Sequence, residues 1–311
     1  MHVVLVGPGA LGGLLAVYLT PVLEHSGGRL SLLDHNPDRA AFLAANGITL
    51  LEDGGERHVR PRVHADITSL GRCDLVLLCI KSNDVAGALT YLQPLIHSDT
   101  LIVGLQNGMT HITLLEDCAG IPAAGVSALG ASLAAPGTVF FGGHGPTRLG
   151  LLKDNRECAV LDTFIDLMQQ SGLEAGISDN IRADLWNKLF VNVGINALTA
   201  IHNQKNGQLL TSCTLRSTMK NAIREAMTVA EKSGVPIMGD PIARTFAVCR
   251  RTRNNISSML QDVRRQRPTE IMAINGFIVE QGRQLGIATP VNRELVKKVQ
   301  AIEAFWTRHH A

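Results

Sequence analysis

Lys188, Asn192 and Asn196 recur at intervals of four in ADLWNKLFVNVGINALTAI. That spacing stacks all three side chains on one stripe of an α-helix. Their neighbours Leu185, Leu189, Phe190, Val191, Val193 and Ile195 are apolar, so a polar line runs down a helix that otherwise belongs in a core. A buried amide left without a partner costs about 1 to 3 kcal/mol, and a ligand can supply the missing partners. The lysine could then serve as proton donor or as a fixed positive field. The structural alternative has the lysine stem packed with its ammonium in water and the asparagines bonded to neighbouring helices.

A second polar group follows in NNISSMLQD, where Asn255, Ser258, Gln261 and Asp262 read as one helical face, Asn255 and Ser258 forming a ligand wall. Beyond Pro268 stands Glu270, in what reads as the first turn of the next helix, a place where the helix dipole favours an acid on its own account. Lys81-Ser82 follows the apolar run DLVLLCI, and Asn107-Gly108 follows TLIVGLQ. Both lie at carboxyl ends of expected parallel strands, where doubly wound sheets bind ligands.

Gly7-Pro8-Gly9-Ala10-Leu11-Gly12 satisfies G-x-G-x-x-G, and its surroundings give the match weight. A strand precedes it, an apolar helix follows it, and a second strand ends in Asp34, 22 positions after Gly12. Gly7 permits the tight turn, Gly9 lets backbone N–H groups approach a pyrophosphate, and Gly12 lets helix and strand pack closely. Pro8 removes one N–H from the turn. The carboxylate of Asp34 votes for NAD(H), because it accepts from a ribose 2′-OH and repels a 2′-phosphate. With Asp34 turned aside, His35, Asn36 and Arg39 could instead surround that phosphate. Asp34-His35-Asn36-Pro37-Asp38 also reads as a solvated turn with a helix cap.

Two textures divide the chain that must position these groups. Up to residue 179, apolar runs at 2–7, 29–34, 74–80, 100–106 and 123–129 alternate with helix-length stretches, the pattern of a parallel sheet built from βαβ units. TVFFGG and TRLGLL read as a small antiparallel addition, and LEAGIS closes this half. From Asn180 the 3.6-residue period takes over, predicting helices at 180–201, 208–233, 240–265, 269–285 and 291–308. The expected architecture is an α/β Rossmann-type domain (1–179) followed by an all-α domain (180–311).

With 45% hydrophobic and 18% charged residues, the 311-residue chain is no disordered segment. Lys and Arg number 29 against 27 acidic residues, and aromatics are 4%, which speaks against a nucleic-acid surface. No apolar run approaches the ~18 residues of a membrane span. The start MHVVLVGPGALGG shows no basic n-region or cleavage site, so export is not expected, and Cys73, Cys79, Cys118, Cys158, Cys213 and Cys249 show neither C-x-x-C nor zinc-ligand spacing. A cytoplasmic protein with reduced thiols and no metal is expected.

GPGALG, CIKSNDV, LQNGM, WNKLFVNVGINALTAI and NISSMLQDVRRQRPTEIMAINGF together resemble the ketopantoate reductases (2-dehydropantoate 2-reductases) over essentially the whole chain. The resemblance implies a Rossmann domain joined to a helical one, with NADPH reducing the keto group of a bound 2-keto acid, ketopantoate, to (R)-pantoate on the route to pantothenate and coenzyme A. It implies Lys188 as general acid and Glu270 near the nicotinamide and that lysine. Asn192, Asn196, Asn206 and Ser258 would bind substrate. The Gly7–Gly12 loop, Lys81, Asn107 and Ala131 would contact the cofactor. Where many members carry an arginine for the 2′-phosphate this chain has His35 after Asp34, which keeps NADH open beside NADPH. A homodimer is compatible with the resemblance. So are a reductase of another 2-keto or 3-hydroxy acid on the same plan and a dinucleotide sensor without turnover.

Overall fold

The computed structural model describes residues 1–153 and 157–309. Residues Met1–Gln106 and His111–Ile181 form one compact unit, and Asn107–Thr110 with Arg182–Ala311 form the other.

The first unit contains twelve strands among the described residues: β1 (His2–Val6), β2 (Arg29–Leu33), β3 (Ile48–Glu52), β4 (Gly55–Val59), β5 (Arg62–His64), β6 (Leu75–Leu78), β7 (Leu101–Gly104), β8 (Ile121–Ser127), β9 (Gly130–Ala135), β10 (Thr138–Gly143), β11 (Thr147–Leu151) and β12 (Ala175–Ile177). Eight of them form one sheet in the order β12-β11-β8-β7-β6-β1-β2-β5. Every pair in it is parallel except β8 with β11. The order reverses between β1 and β6, the switch point at which a doubly wound sheet opens a crevice beyond its carboxyl ends. β1 and β6 are buried along their whole length, as continuous apolar runs covered on both faces require.

Around these strands lie α1 (Ala10–His25), α2 (Pro37–Asn46), α3 (Val85–Leu92), α4 (Thr110–Glu116) and α5 (Ala159–Gln170). α1 is buried nearly all round because a second sheet, ordered β4-β3-β10-β9, covers its other side. Val139 of β10 stands close enough to α1 that a Cβ on Gly13 would meet it at 2.7 Å.

This unit departs from the sequence expectations in its small strands. The hairpin β3–β4, turning at Asp53-Gly54 with Gly54 at φ +100°, occupies part of a stretch expected to be helical. β9 was not expected either. TVFFGG and TRLGLL do not form one addition: β10 pairs with β3 and β9, whereas β11 extends the main sheet antiparallel to β8.

The second unit consists of α6 (Ile181–His202), a 3-10 turn at Asn206–Leu210, α7 (Cys213–Lys232), α8 (Pro241–Arg251), α9 (Ser258–Arg264), α10 (Asn275–Leu285) and α11 (Pro290–His309). The expected helix over 240–265 is two helices. α8 ends at Arg251 with Thr252 as its C-cap, and α9 starts at a Ser257 cap whose hydroxyl accepts the Leu260 N–H at 3.1 Å. Asn255 therefore sits on an exposed connection and shares no helical face with Ser258. The expected helix at 269–285 begins only at Asn275, so Glu270 lies in the turn before it and the helix-dipole account of Glu270 loses its basis.

A buried polar tie holds α6 against its neighbours. Glu225 of α7 accepts the N–H groups of Val291 and Asn292 at 2.8 and 2.9 Å, satisfying the start of α11. Asn292 accepts from Asn275, whose amide also donates to the Val193 carbonyl on α6 at 3.3 Å. Trp186 adds edge-on packing against Phe277, 5.7 Å between ring centres.

Candidate active site

α6 presents Lys188, Asn192 and Asn196 along one stripe, as the spacing predicts. Lys188 and Asn192 are half-buried, and Asn196 is buried. Burial pushes the Lys188 ammonium below the ordinary lysine value of 10.5, and the negative charge of Glu270 pulls it partly back. Glu270 is itself buried and accepts from the Asn107 amide at 3.0 Å. The chain 107–110 runs along the 270–273 turn, with the Met109 N–H donating to the Ala273 carbonyl at 3.1 Å. Lys188, Glu270 and Asn107, widely separated in sequence, thus meet within the second unit. The Asn192 side-chain nitrogen is buried without a hydrogen-bond partner, a donor awaiting an acceptor.

Ser257 and Ser258 divide their labour. Ser257 is buried, caps α9 and shares a 2.6 Å hydrogen bond with Thr199. Ser258, in the first turn of α9, is exposed. Asn206 opens the 3-10 turn and is buried, its backbone N–H donating to Asn255 at 3.1 Å.

In the first unit the glycine loop joins β1 to α1. Gly7 holds φ +96°, where a side chain would strike Ile80. A Cβ on Gly12 would collide with the Gly7 carbonyl, so that glycine allows helix and loop to close together. A Cβ on Gly9 would meet nothing within 4 Å. Gly9 caps α1 without a side chain, and the first turn carries no acid, so its N–H groups suit an anion and the residues present fit a pyrophosphate. Beside Gly7 lies a cavity of about 400 Å³ walled by Leu33, His35, Ile80, Asn83, Asp84 and Tyr91. Asn83, Asp84 and Tyr91 escaped the sequence reading; the loop after β6 was the signal, since it ends a central strand beside the switch point.

Asp34 is buried and turned toward its own helix. It accepts two hydrogen bonds from the Arg39 guanidinium and one from the Asn36 N–H at 3.0 Å. Its charge is matched, while His35 is almost fully exposed and Arg39 about a third so. Lys81 precedes the short 3-10 turn after β6. Ala131 lies on β9 of the second sheet, opposite Phe141.

Two family models, described as ketopantoate reductase PanE/ApbA and its C-terminal counterpart, match residues 3–154 and 180–303. The chain belongs to the ketopantoate reductase family. Within it, the chain is 32% identical to a 2-dehydropantoate 2-reductase of Halobacterium salinarum, covering 96% of this chain and 98% of the relative. A PanE/ApbA family ketopantoate reductase of Ralstonia eutropha JMP134 superimposes with a TM-score of 0.87 at 29% identity, covering 98% and 99% of the two chains. D-mandelate dehydrogenase, solved with NADH and anilino(oxo)acetate, gives the same TM-score at 26% identity over 98% and 99%. The same fold thus also serves a D-mandelate dehydrogenase. Among the described residues no helix is long and apolar enough to cross a membrane.

Proposed function

We propose that the protein is a 2-dehydropantoate 2-reductase that takes hydride from NADPH and yields (R)-pantoate. The observation that carries this reading is the Lys188–Glu270 pair: a half-buried lysine whose ammonium is made more acidic by desolvation, in the field of a buried carboxylate that Asn107 holds. When bound, the nicotinamide supplies hydride to the ketone carbon. As the carbonyl electron pair moves onto oxygen, Lys188 gives that oxygen a proton and is left neutral. Glu270 keeps the lysine protonated and oriented before the step. The Asn192 amide nitrogen donates to a substrate oxygen, and Asn196, Asn206 and Ser258 complete the hold on the substrate.

On the cofactor side the Gly7–Gly12 loop with Lys81, Asn107 and Ala131 would hold the dinucleotide. NADPH is favoured because Asp34 is turned to its own helix and paired with Arg39 and Asn36, which leaves it less free to accept from a 2′-OH and offsets the charge that would repel a 2′-phosphate. Arg39 and His35 remain as the cationic or protonatable groups beside it.

A substrate panel tests the reading. With NADPH, 2-dehydropantoate should be reduced with saturation and with at least ~10²-fold higher kcat/KM than pyruvate or 2-ketoisovalerate, a margin that hydrogen-bonding sites achieve. Equal turnover of a hydrophobic or aromatic 2-keto acid would move the assignment to another member of this fold. Tight NADPH binding without turnover of any keto acid would leave a sensor.

A further inference from the structure

Thr252, in the connection between α8 and α9, is absorbed neither by the family motifs nor by the mechanism above. Its hydroxyl lies 2.7 Å from the Val248 carbonyl one turn earlier and 2.9 Å from the Asn206 side-chain nitrogen. A hydroxyl has one proton, and here it is given to the Val248 carbonyl, which also accepts the Thr252 N–H at 2.8 Å. Toward Asn206 the Thr252 oxygen is therefore an acceptor, and Asn206 must turn its NH2 to it. The amide orientation follows from the Thr252 hydroxyl acting as donor to Val248 and acceptor from Asn206. The consequence falls on the other end of the amide: Asn206 Oδ1 is buried and has no hydrogen-bond partner. Two backbone bonds, Asn206 to Asn255 and Gly207 to Arg253, fix the turn against this connection, so the side chain cannot escape by local movement.

A buried carbonyl oxygen without a partner is satisfied by a donor. The carboxylate and keto oxygens of a 2-keto acid at neutral pH offer lone pairs only. The donor that 2-dehydropantoate brings is its primary hydroxyl. Asn192 presents the opposite polarity, an unpartnered N–H, which suits the carboxylate or the keto oxygen. We propose that Thr252 is a specificity-determining positioning residue: by holding the Asn206 amide in one orientation it makes the site select 2-keto acids that carry a hydroxyl. This inference rests on the assignment of Asn206 to substrate binding.

The test compares 2-dehydropantoate with 3,3-dimethyl-2-oxobutanoate, which has the same carbon skeleton and lacks the hydroxyl, in the full-length enzyme with NADPH. Thr252→Val keeps the side-chain shape and removes the acceptor. It should lower kcat/KM for 2-dehydropantoate at least tenfold, mainly through KM, and leave the analogue within about twofold, so that the ratio of the two collapses. Thr252→Ser restores a hydroxyl and should restore the ratio. An equal loss on both substrates, or an unchanged ratio, in Thr252→Val overturns the proposal; if that variant fails to fold, Thr252→Ala is read by the same ratio. Asn206→Ala separates the two levels. If it collapses the ratio while the Thr252 variants do not, Thr252 alone is misassigned, and if it leaves the ratio intact, Asn206 is not the hydroxyl contact.

Discussion

At the scale of single residues, the chemistry turns on the opposition between burial and charge at Lys188. Desolvation lowers its pKa below 10.5, and Glu270 is the charge that resists the fall. In the proposed mechanism the protonated lysine is the acid, so kcat/KM should decline at alkaline pH with a midpoint below 10.5. Glu270→Gln removes the charge that raises the pKa, so the midpoint should move further down. A pH profile from 7 to 10.5 for both enzymes reads this directly, and an upward shift in the variant would reverse the assigned role of Glu270. Lys188→Ala should reduce kcat by ~10²- to 10⁴-fold while NADPH still binds, as fluorescence titration would register. Near-normal kcat would remove the lysine from the mechanism. Arg39 carries the parallel argument for the cofactor. Arg39→Ala strips the phosphate of a cation and leaves Asp34 an unmatched carboxylate, so the kcat/KM ratio of NADPH to NADH should fall at least tenfold. An unchanged ratio would place discrimination elsewhere.

At the scale of elements, two glycines of the same loop should fail in different ways. Gly9 has extended-region dihedrals and open space where a Cβ would project, so Gly9→Val should keep Tm within about a degree and weaken dinucleotide binding at least tenfold. Gly12→Val drives a side chain into the Gly7 carbonyl and toward Cys79 and Leu5, each 3.1 Å from its Cβ. Overpacking of this kind costs about 1 to 3 kcal/mol, so Tm should drop as well. Thermal melts with and without NADPH distinguish the two, and equal Tm losses would refute the contrast. This loop was legible because its chemistry is local: strand, glycines and helix are contiguous. The β3–β4 hairpin was not, because β4 is exposed and rich in charge, GERHV, and shows no apolar alternation; only the Asp53-Gly54 pair announced a turn. The break between α8 and α9 was hidden for a different reason. Residues 252–257 contain neither proline nor glycine, and the apolar period runs through them, while the cap that restarts the helix is one serine of a pair. The Lys188 stripe could be read from spacing, whereas its pairing with Glu270 and Asn107 depends on tertiary structure that no local pattern encodes.

At the scale of the whole molecule, the chain enters the second unit twice, once for only four residues. Asn107–Thr110 belong to it although β7 before them and the chain after them belong to the first unit. A boundary drawn once, near residue 180, therefore omits the strand of chain that holds Glu270. Gly108 is its tightest point: φ is +81°, and a Cβ there would run into the Ala273 backbone. Gly108→Val should prise 107–110 away from the 270–273 turn, break the Asn107–Glu270 hydrogen bond and free Glu270 from its fixed position opposite Lys188. Asn107 is itself a proposed cofactor contact, so dinucleotide affinity should fall too, but by less than kcat, because the proposed glycine-loop contacts of the other unit are left in place. The expected signature is a Tm lower by a few degrees, since left-handed backbone strain and overpacking each cost about 1 to 3 kcal/mol, with kcat reduced at least tenfold. An enzyme with unaltered Tm and kcat would show that the short excursion is incidental, and a variant whose NADPH affinity fell further than its kcat would show that it serves chiefly the cofactor.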